Sequence, residues 1–277
     1  MKQTVMHIFA RTPVHVGAGN SVGVVDSPVQ RERHTRIPII PGSSLKGVLA
    51  DFWNEKSPKG KTVRSDEGVV HLGNDDPKNA SAGNLLVGEA RVLAFPVRSA
   101  KGAFAWITCP LALARYKRDT GLDFEIPDSL GEDECICSDK QIQFKDNVIL
   151  EEYRFKVKGS TDIWTHLKDA VEDDVWQDIG LRFVIVSDEI FSYFVEQACE
   201  VVTRIKVDDE TGTVAPGALF NQEQVPSETM FYAVIGEQKD KGSLGALKKK
   251  LEENGNIIQV GGDETIGLGY CSVNLII

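Results

Sequence analysis

Asp26 stands in the string Val24-Val25-Asp26-Ser27-Pro28, with Arg31, Arg33 and Arg36 following within ten residues. A carboxylate among guanidinium groups has two readings. It balances their charge, the simpler one, or it is a functional acid that takes up a cation or a proton beside a bound anion. His15 lies just upstream, ahead of the run Gly17-Ala18-Gly19-Asn20-Ser21-Val22-Gly23. An imidazole there could contact phosphate or shuttle a proton, although a lone histidine is more often structural. Further on, Pro41-Gly42-Ser43-Ser44-Leu45-Lys46 offers a helix N-terminus with free amides, two hydroxyls and a cation. That set suits an anion such as a phosphodiester, or is simply a capped helix with a solvated lysine. Near the C-terminus, Gly261, Gly262, Gly267 and Gly269 leave the backbone of residues 261–269 open to close approach. Such a loop cradles phosphate, or only turns the chain.

Other motifs fall away on spacing. Gly17, Gly19 and Gly23 miss the dinucleotide fingerprint by one residue, and no helix starts there. Gly42 and Gly47 have phosphate-loop spacing, but Val48 stands where a lysine is required. Cys135 and Cys137 form a single C-x-C pair with no second pair at zinc-site spacing. His7 lies in a strand pattern and reads as a core residue. His34, in a charged stretch, reads as solvated.

These groups need a scaffold, and 277 residues with 42% hydrophobic content suffice for a proper core. The net charge of −10 argues at first against a nucleic-acid partner. Its distribution reverses that. Residues 1–50 hold six Lys/Arg against two Asp/Glu, whereas residues 121–200 hold seven against twenty. Phosphate responds to the local field, so the basic N-terminal segment keeps RNA open as a partner. No apolar run approaches the roughly 20 residues a membrane-spanning helix needs, and the first residues lack signal-peptide character. Five scattered cysteines fit a reduced, cytoplasmic protein.

Residues 3–14 alternate as a strand, with Val5, His7 and Phe9 opposed to Met6, Ile8 and Ala10. A helix capped by Ser43 or Ser44 is expected to run to about 56–58, followed by a mobile loop over 59–83. Strands are expected at 84–97, 104–108, 181–186, 228–235 and 270–277, with helices at 187–199 and 244–253. The acidic stretch 119–175 reads as an irregular insertion with one strand near 148–157. Residues 201–220 read as a projecting hairpin with its turn at 208–212 and few large apolar side chains. Strands and helices without regular alternation indicate an α+β fold.

The string Thr12 to Leu49, TPVHVGAGNSVGVVDSPVQRERHTRIPIIPGSSLKGVL, resembles the N-terminal signature of the RAMP superfamily, the repeat-associated proteins of CRISPR systems. It is most similar to the backbone subunits of the type III-B effector, the Cmr complex. EARVLAFPVRSAKGAFAWITCPLALAR, TRIKVDDETGTVAPGALF and GGDETIGLG resemble that group's second signature, thumb hairpin and C-terminal glycine loop, in the same order. Glu89 and Ala50 depart from the pattern, the second removing a cation from the guide groove.

The resemblance implies a single domain over 1–277, a ferredoxin-like (RNA-recognition-type) palm with inserted loops and a protruding thumb. Copies would stack head to tail along guide RNA as a helical filament, with other effector subunits, and cut target RNA at regular intervals where each thumb displaces a nucleotide. It places Asp26 at the cleavage position, with a divalent metal, Mg²⁺ or Mn²⁺. His15 falls near that site and Glu228 matches a family acid. Lys46 belongs to guide binding, and the further RNA contacts would be Gly17, Gly19, Ser43, Ser44, Gly261, Gly262, Gly267 and Gly269. Two alternatives remain open: a non-catalytic guide-coating subunit, and a metal-independent guide-processing ribonuclease using His15.

Overall fold

Alternation along the first strand sorts two cores, because side chains two apart share a face. In strand Lys2–Ala10, Met6, Ile8 and Ala10 join Leu45 and Leu49 of helix Gly42–Asp51 and Leu244, Leu247 and Leu251 of helix Ser243–Glu253. Val5 and Phe9 join the opposite layer, with Trp106, Tyr116, Trp176 and Tyr232. His7 is fully buried, its Nε2 2.8 Å from Tyr116 Oη, and burial pulls its pKa down to about 4. It is a neutral core residue, as its strand position suggests. The computed structural model describes residues 1–19, 24–57, 60–74, 76, 78–207 and 213–277, with the backbone alone at 206, 207 and 214–218.

Lys2–Ala10 bonds antiparallel to Met230–Glu237 on one side and Tyr270–Leu275 on the other; Met230–Glu237 bonds antiparallel to Leu85–Arg98. Helix Gly42–Asp51 lies in the connection leaving the first strand, and helix Ser243–Glu253 in the connection to the last. Beyond Leu85–Arg98 the sheet continues through Phe104–Thr108, Phe183–Ile185, Glu134–Cys137, Tyr153–Ser160 and Asn147–Leu150. Two of these contacts are parallel, Phe183–Ile185 on Phe104–Thr108 and Tyr153–Ser160 on Glu134–Cys137. The architecture is α+β, a large mixed sheet with both central faces covered.

Several expectations change. Residues 119–175 are not irregular: they supply three strands of this sheet, whose inward residues Cys135, Val148 and Phe155 are thinly spread among surface acids. The segment 59–83 contains strand Thr62–Arg64 and helix Asp66–Leu72, capped by Ser65 accepting from Gly68 N at 3.2 Å. Gly68 is what lets that helix sit on Trp53, since a Cβ there would meet the Trp53 Cβ at 2.5 Å and the Arg64 Cγ at 2.7 Å. The helix expected from Ser43 or Ser44 instead starts at Gly42 behind Pro41, with no side-chain cap, and ends at Asp51. Gly42 is required because a Cβ would stand 2.6 Å from the Val87 carbonyl oxygen.

The hairpin arms are Glu200–Val207 and Val214–Gln224, paired antiparallel in a two-stranded sheet of their own. The expected turn at 208–212 lies outside the described residues. The arms are less polar than expected, exposing Val201, Val202, Ile205, Leu219 and Phe220. Helix Asp188–Gln197 is capped by Ser187, as its sequence implies. All five cysteines are free and buried, and no described helix is long and apolar enough to cross a membrane.

Candidate nucleic-acid interface

Three distant segments meet at the foot of the hairpin. Val14 pairs with Val225, Gly17 with Val29, and Ser27 with Gln222, forming a small ladder beside the main sheet. Within it Asp26 is exposed, and its Oδ2 accepts a hydrogen bond from Asn221 N at 2.8 Å. Ser27 N donates to Asn221 O at 3.0 Å and Glu223 N to Ser27 O at 2.9 Å. The backbone therefore aims one carboxylate of the loop along the hairpin's foot.

The nearby arginines do not neutralise it. Arg31, its side chain 4% exposed, pairs with Glu223 at 2.5 Å, Arg36 pairs with Glu196, and Asp26 forms no ion pair among the described residues. A cleft of about 520 Å³ opens beside the loop, lined by Val24, Pro28, Arg36, Glu196 and Val201 among others.

His15 points inward. Its Nδ1 is 2.6 Å from the Glu223 carbonyl oxygen, which can only accept, so Nδ1 carries a proton. Nε2 then faces Ser27 Oγ at 3.2 Å. Gly17 fits against this ring, since a Cβ would lie 3.0 Å from Nε2.

The glycine loop docks on the same place. Gly262 N donates to His15 O at 3.0 Å and Gly269 N to Pro13 O at 2.9 Å. Gly261 has a left-handed φ of +90°, and a Cβ there would run into the His15 carbonyl. Gly262 and Gly267, like Gly19, have no atom within 4 Å of a built Cβ and leave open space. Asp263 ties the loop to the hairpin, its Oδ2 accepting from Gln222 Nε2 at 2.7 Å and its Oδ1 pairing with Arg204 at 3.0 Å.

Other candidates lie elsewhere. Ser43, Ser44 and Lys46 occupy the first turns of the helix seated on Leu85–Arg98, and Lys46 has no ion-pair partner among the described residues. Glu228 belongs to the opposite layer, in a hollow with Phe9, Arg11 and Asp173. Its φ is +67°, its Oε2 is buried without a partner, and its carboxyl is pushed up to about 7 by burial and then by the Asp173 charge, against the pull of Arg182. No bond joins it to the Asp26 group among the described residues.

The donor set limits what metal could bind. Among the described residues no three His, Cys, Asp or Glu side chains cluster as a cation site. Asp26 offers an exposed hard oxygen, which fits a hydrated Mg²⁺ or Mn²⁺ completed by RNA phosphates and does not fit a protein-only cage. Sequence reasoning overlooked Glu223, Arg204, Gln222 and Asp263. The available signal was three successive polar residues, Gln222-Glu223-Gln224, which are buried at the foot of an arm that exposes Leu219 and Phe220.

An α+β sheet with a separate hairpin, an acid at its foot and a docked glycine loop defines a class of chain, and the RAMP superfamily pattern matches residues 8–272. The chain belongs to that superfamily. It is 37% identical over 292 residues to the CRISPR system Cmr endoribonuclease Cmr4 of Pyrococcus furiosus, covering 99% of this chain and 96% of that protein. The crystal structure of oligomeric Cmr4 from Pyrococcus furiosus matches with a TM-score of 0.74 at 30% identity, over 99% of this chain and 98% of that one. The fold is shared, at 22% identity and a TM-score of 0.78, with a chain of the type III-B Cmr-beta complex bound to cognate target RNA, over 99% and 97% of the two chains.

Proposed function

We propose that this chain is an RNA-binding backbone subunit of a type III-B CRISPR ribonucleoprotein that holds guide RNA and cleaves complementary target RNA at regular intervals. The observation that carries this reading is Asp26, exposed and without an ion-pair partner among the described residues, at the foot of a projecting hairpin. The name of the Pyrococcus furiosus relative, an endoribonuclease, supports it, as does that protein's oligomeric crystal form. The partners are guide RNA, target RNA, further copies in a helical filament and other effector subunits, in the cytoplasm. The palm is ferredoxin-like: two strand-helix-strand halves with their four strands interleaved in that order support it.

In the reaction, a ribose 2′-oxygen attacks its neighbouring phosphorus as its proton leaves and the 5′-oxygen departs. Asn221 N–H fixes one Asp26 oxygen, leaving the other to face the RNA and accept that proton or carry a hydrated cation. A bound Mg²⁺ or Mn²⁺ supplies charge neutralisation at the phosphate under attack. His15, buried with both ring nitrogens engaged, braces the loop in this reading. That inward geometry gives no support to a metal-independent ribonuclease working through His15. The test is purification of the assembled complex with its bound RNA, then incubation with complementary RNA with and without chelator. Evenly spaced, chelator-sensitive fragments are expected. A complex that carries guide RNA and binds target without cutting it would leave only the coating role.

A further inference from the structure

We propose that Glu223, through its pair with Arg31, is a positioning residue for Asp26, a role that rests on the cleavage reading above. Glu223 stands two residues after Asn221, the residue whose amide holds the Asp26 carboxylate. It engages the Asp26 loop at four points. Its own N–H donates to Ser27 O at 2.9 Å, and its carbonyl accepts from His15 Nδ1 at 2.6 Å. Its carboxylate accepts from Val29 N at 2.9 Å through Oε2 and from Arg31 at 2.5 Å through Oε1. The side chain thus holds the segment just after Asp26, at Val29 and Arg31, while the Glu223 backbone holds Ser27 and His15.

Arg31 extends the clamp. Its Nη1 donates to Arg36 O at 2.7 Å and Val195 O at 3.0 Å, and its Nη2 to Cys199 Sγ at 3.3 Å as well as to Glu223. The Arg31 side chain is 4% exposed, which leaves it little surface for RNA. An arginine in the basic N-terminal segment is therefore spent on geometry and not on phosphate. A buried carboxylate and guanidinium in such contact keep their positions because either alone would be left charged and unsolvated. The loop and the hairpin strand Val214–Gln224 are consequently one unit: Asp26 follows the hairpin wherever the hairpin is set.

The test uses the full-length chain in the assembled complex with its guide RNA. Glu223→Gln keeps the shape but removes the charge that Arg31 requires. Single-turnover cleavage of complementary RNA is expected to slow tenfold or more, with target-RNA Kd within twofold of wild type. Because one unpaired buried charge can unfold a chain, Arg31→Gln combined with Glu223→Gln serves as a second, uncharged pair. It is expected to stay folded and to cleave as slowly. In an Asp26→Ala background Glu223→Gln is expected to change residual cleavage less than twofold, since the group it positions is gone. Cleavage within threefold of wild type by both Glu223 variants, with Asp26→Ala inactive, overturns the positioning role and leaves the cleavage reading standing. Loss of target binding in parallel with rate assigns Glu223 to architecture alone and overturns it too. Asp26→Ala cutting at the wild-type rate overturns the cleavage reading, and the positioning role with it.

Discussion

Asp26 hangs from Asn221: its Oδ2 takes the amide hydrogen of a hairpin residue 195 positions away, at 2.8 Å. Asp26→Ala is expected to slow single-turnover cleavage of target RNA by about 100-fold or more, the scale of a general base or its equivalent. Removing a negative charge beside bound phosphate leaves guide and target affinity equal or slightly tighter. Rates for mutant and wild type, each with and without Mg²⁺, decide it. A mutant within threefold of wild type removes Asp26 from the chemistry, and wild-type cutting without metal removes only the cation.

Lys46 has its ammonium free of acidic partners among the described residues and sits in the second turn of a helix with no side-chain N-cap. Lys46→Ala is expected to weaken guide-RNA binding and to lower the slope of log affinity against log salt by about one unit. An unchanged slope takes Lys46 off the contact surface. The melting temperature is expected to stay put, since the half-buried side chain has no ion-pair partner among the described residues.

The hairpin forms its own two-stranded sheet and leaves Ile205, Leu219 and Phe220 in solvent. Deleting residues 207–213 is therefore expected to leave a folded chain while abolishing the even spacing of cleavage products. Product ladders and melting curves of the same preparation separate the outcomes. A fall of tens of degrees would show that the arms are core after all.

Glu228 has a folded pKa of about 7, raised by burial above the value near 4.3 of an unfolded glutamate. The folded chain holds that proton more tightly, so stability declines as pH rises from about 4.3 through 7. Glu228→Gln is expected to melt with wild type at pH 4 and above it at pH 8, the gap opening across that window. An equal difference at both pH values would show that ionisation of Glu228 is not the cause.

Trp176 tests whether the layer over the second sheet face is integral to the core. It is fully buried, its ring 5.4 Å from Phe9 and 5.5 Å from Trp106, and its Nε1 donates to Leu167 O at 2.8 Å. Trp176→Ala is expected to cost about 3–5 kcal/mol in denaturant unfolding. By contrast, Lys249→Ala, which breaks an exposed pair with Glu253, is expected to cost under about 0.5 kcal/mol.

Local signals in the sequence were reliable where one side chain decides the outcome. Ser187 caps its helix, and the Val5-His7-Phe9 alternation fixes which residues of the first strand face which core. They failed where a distant partner decides. Residue 42 must be glycine because of the Val87 carbonyl, its helix has no side-chain cap, and nothing local to Gly68 announces Trp53. The strand at Glu134–Cys137 forms because Phe183–Ile185 and Tyr153–Ser160 flank it. The site divides in the same way. Asp26 and the glycine loop stand out by residue type, whereas Glu223 and Asp263 acquire their roles from contacts across 192 and 41 positions, which no pattern of spacing encodes.

The layer containing Trp106, Tyr116 and Trp176 has one more consequence. Sheets of the RNA-recognition type hold bases by stacking them on aromatic side chains of an open face. Here His7, Phe9 and Tyr232, on the central strands, lie beneath that layer and are at most 1% exposed. Among the described residues the central sheet presents no open aromatic platform, and loop amides, hydroxyls and scattered cations lie at its margin. In the proposed function those groups would grip sugar and phosphate, which are alike in every message, so the surface would be indifferent to spelling and one gene product could serve an entire library of texts.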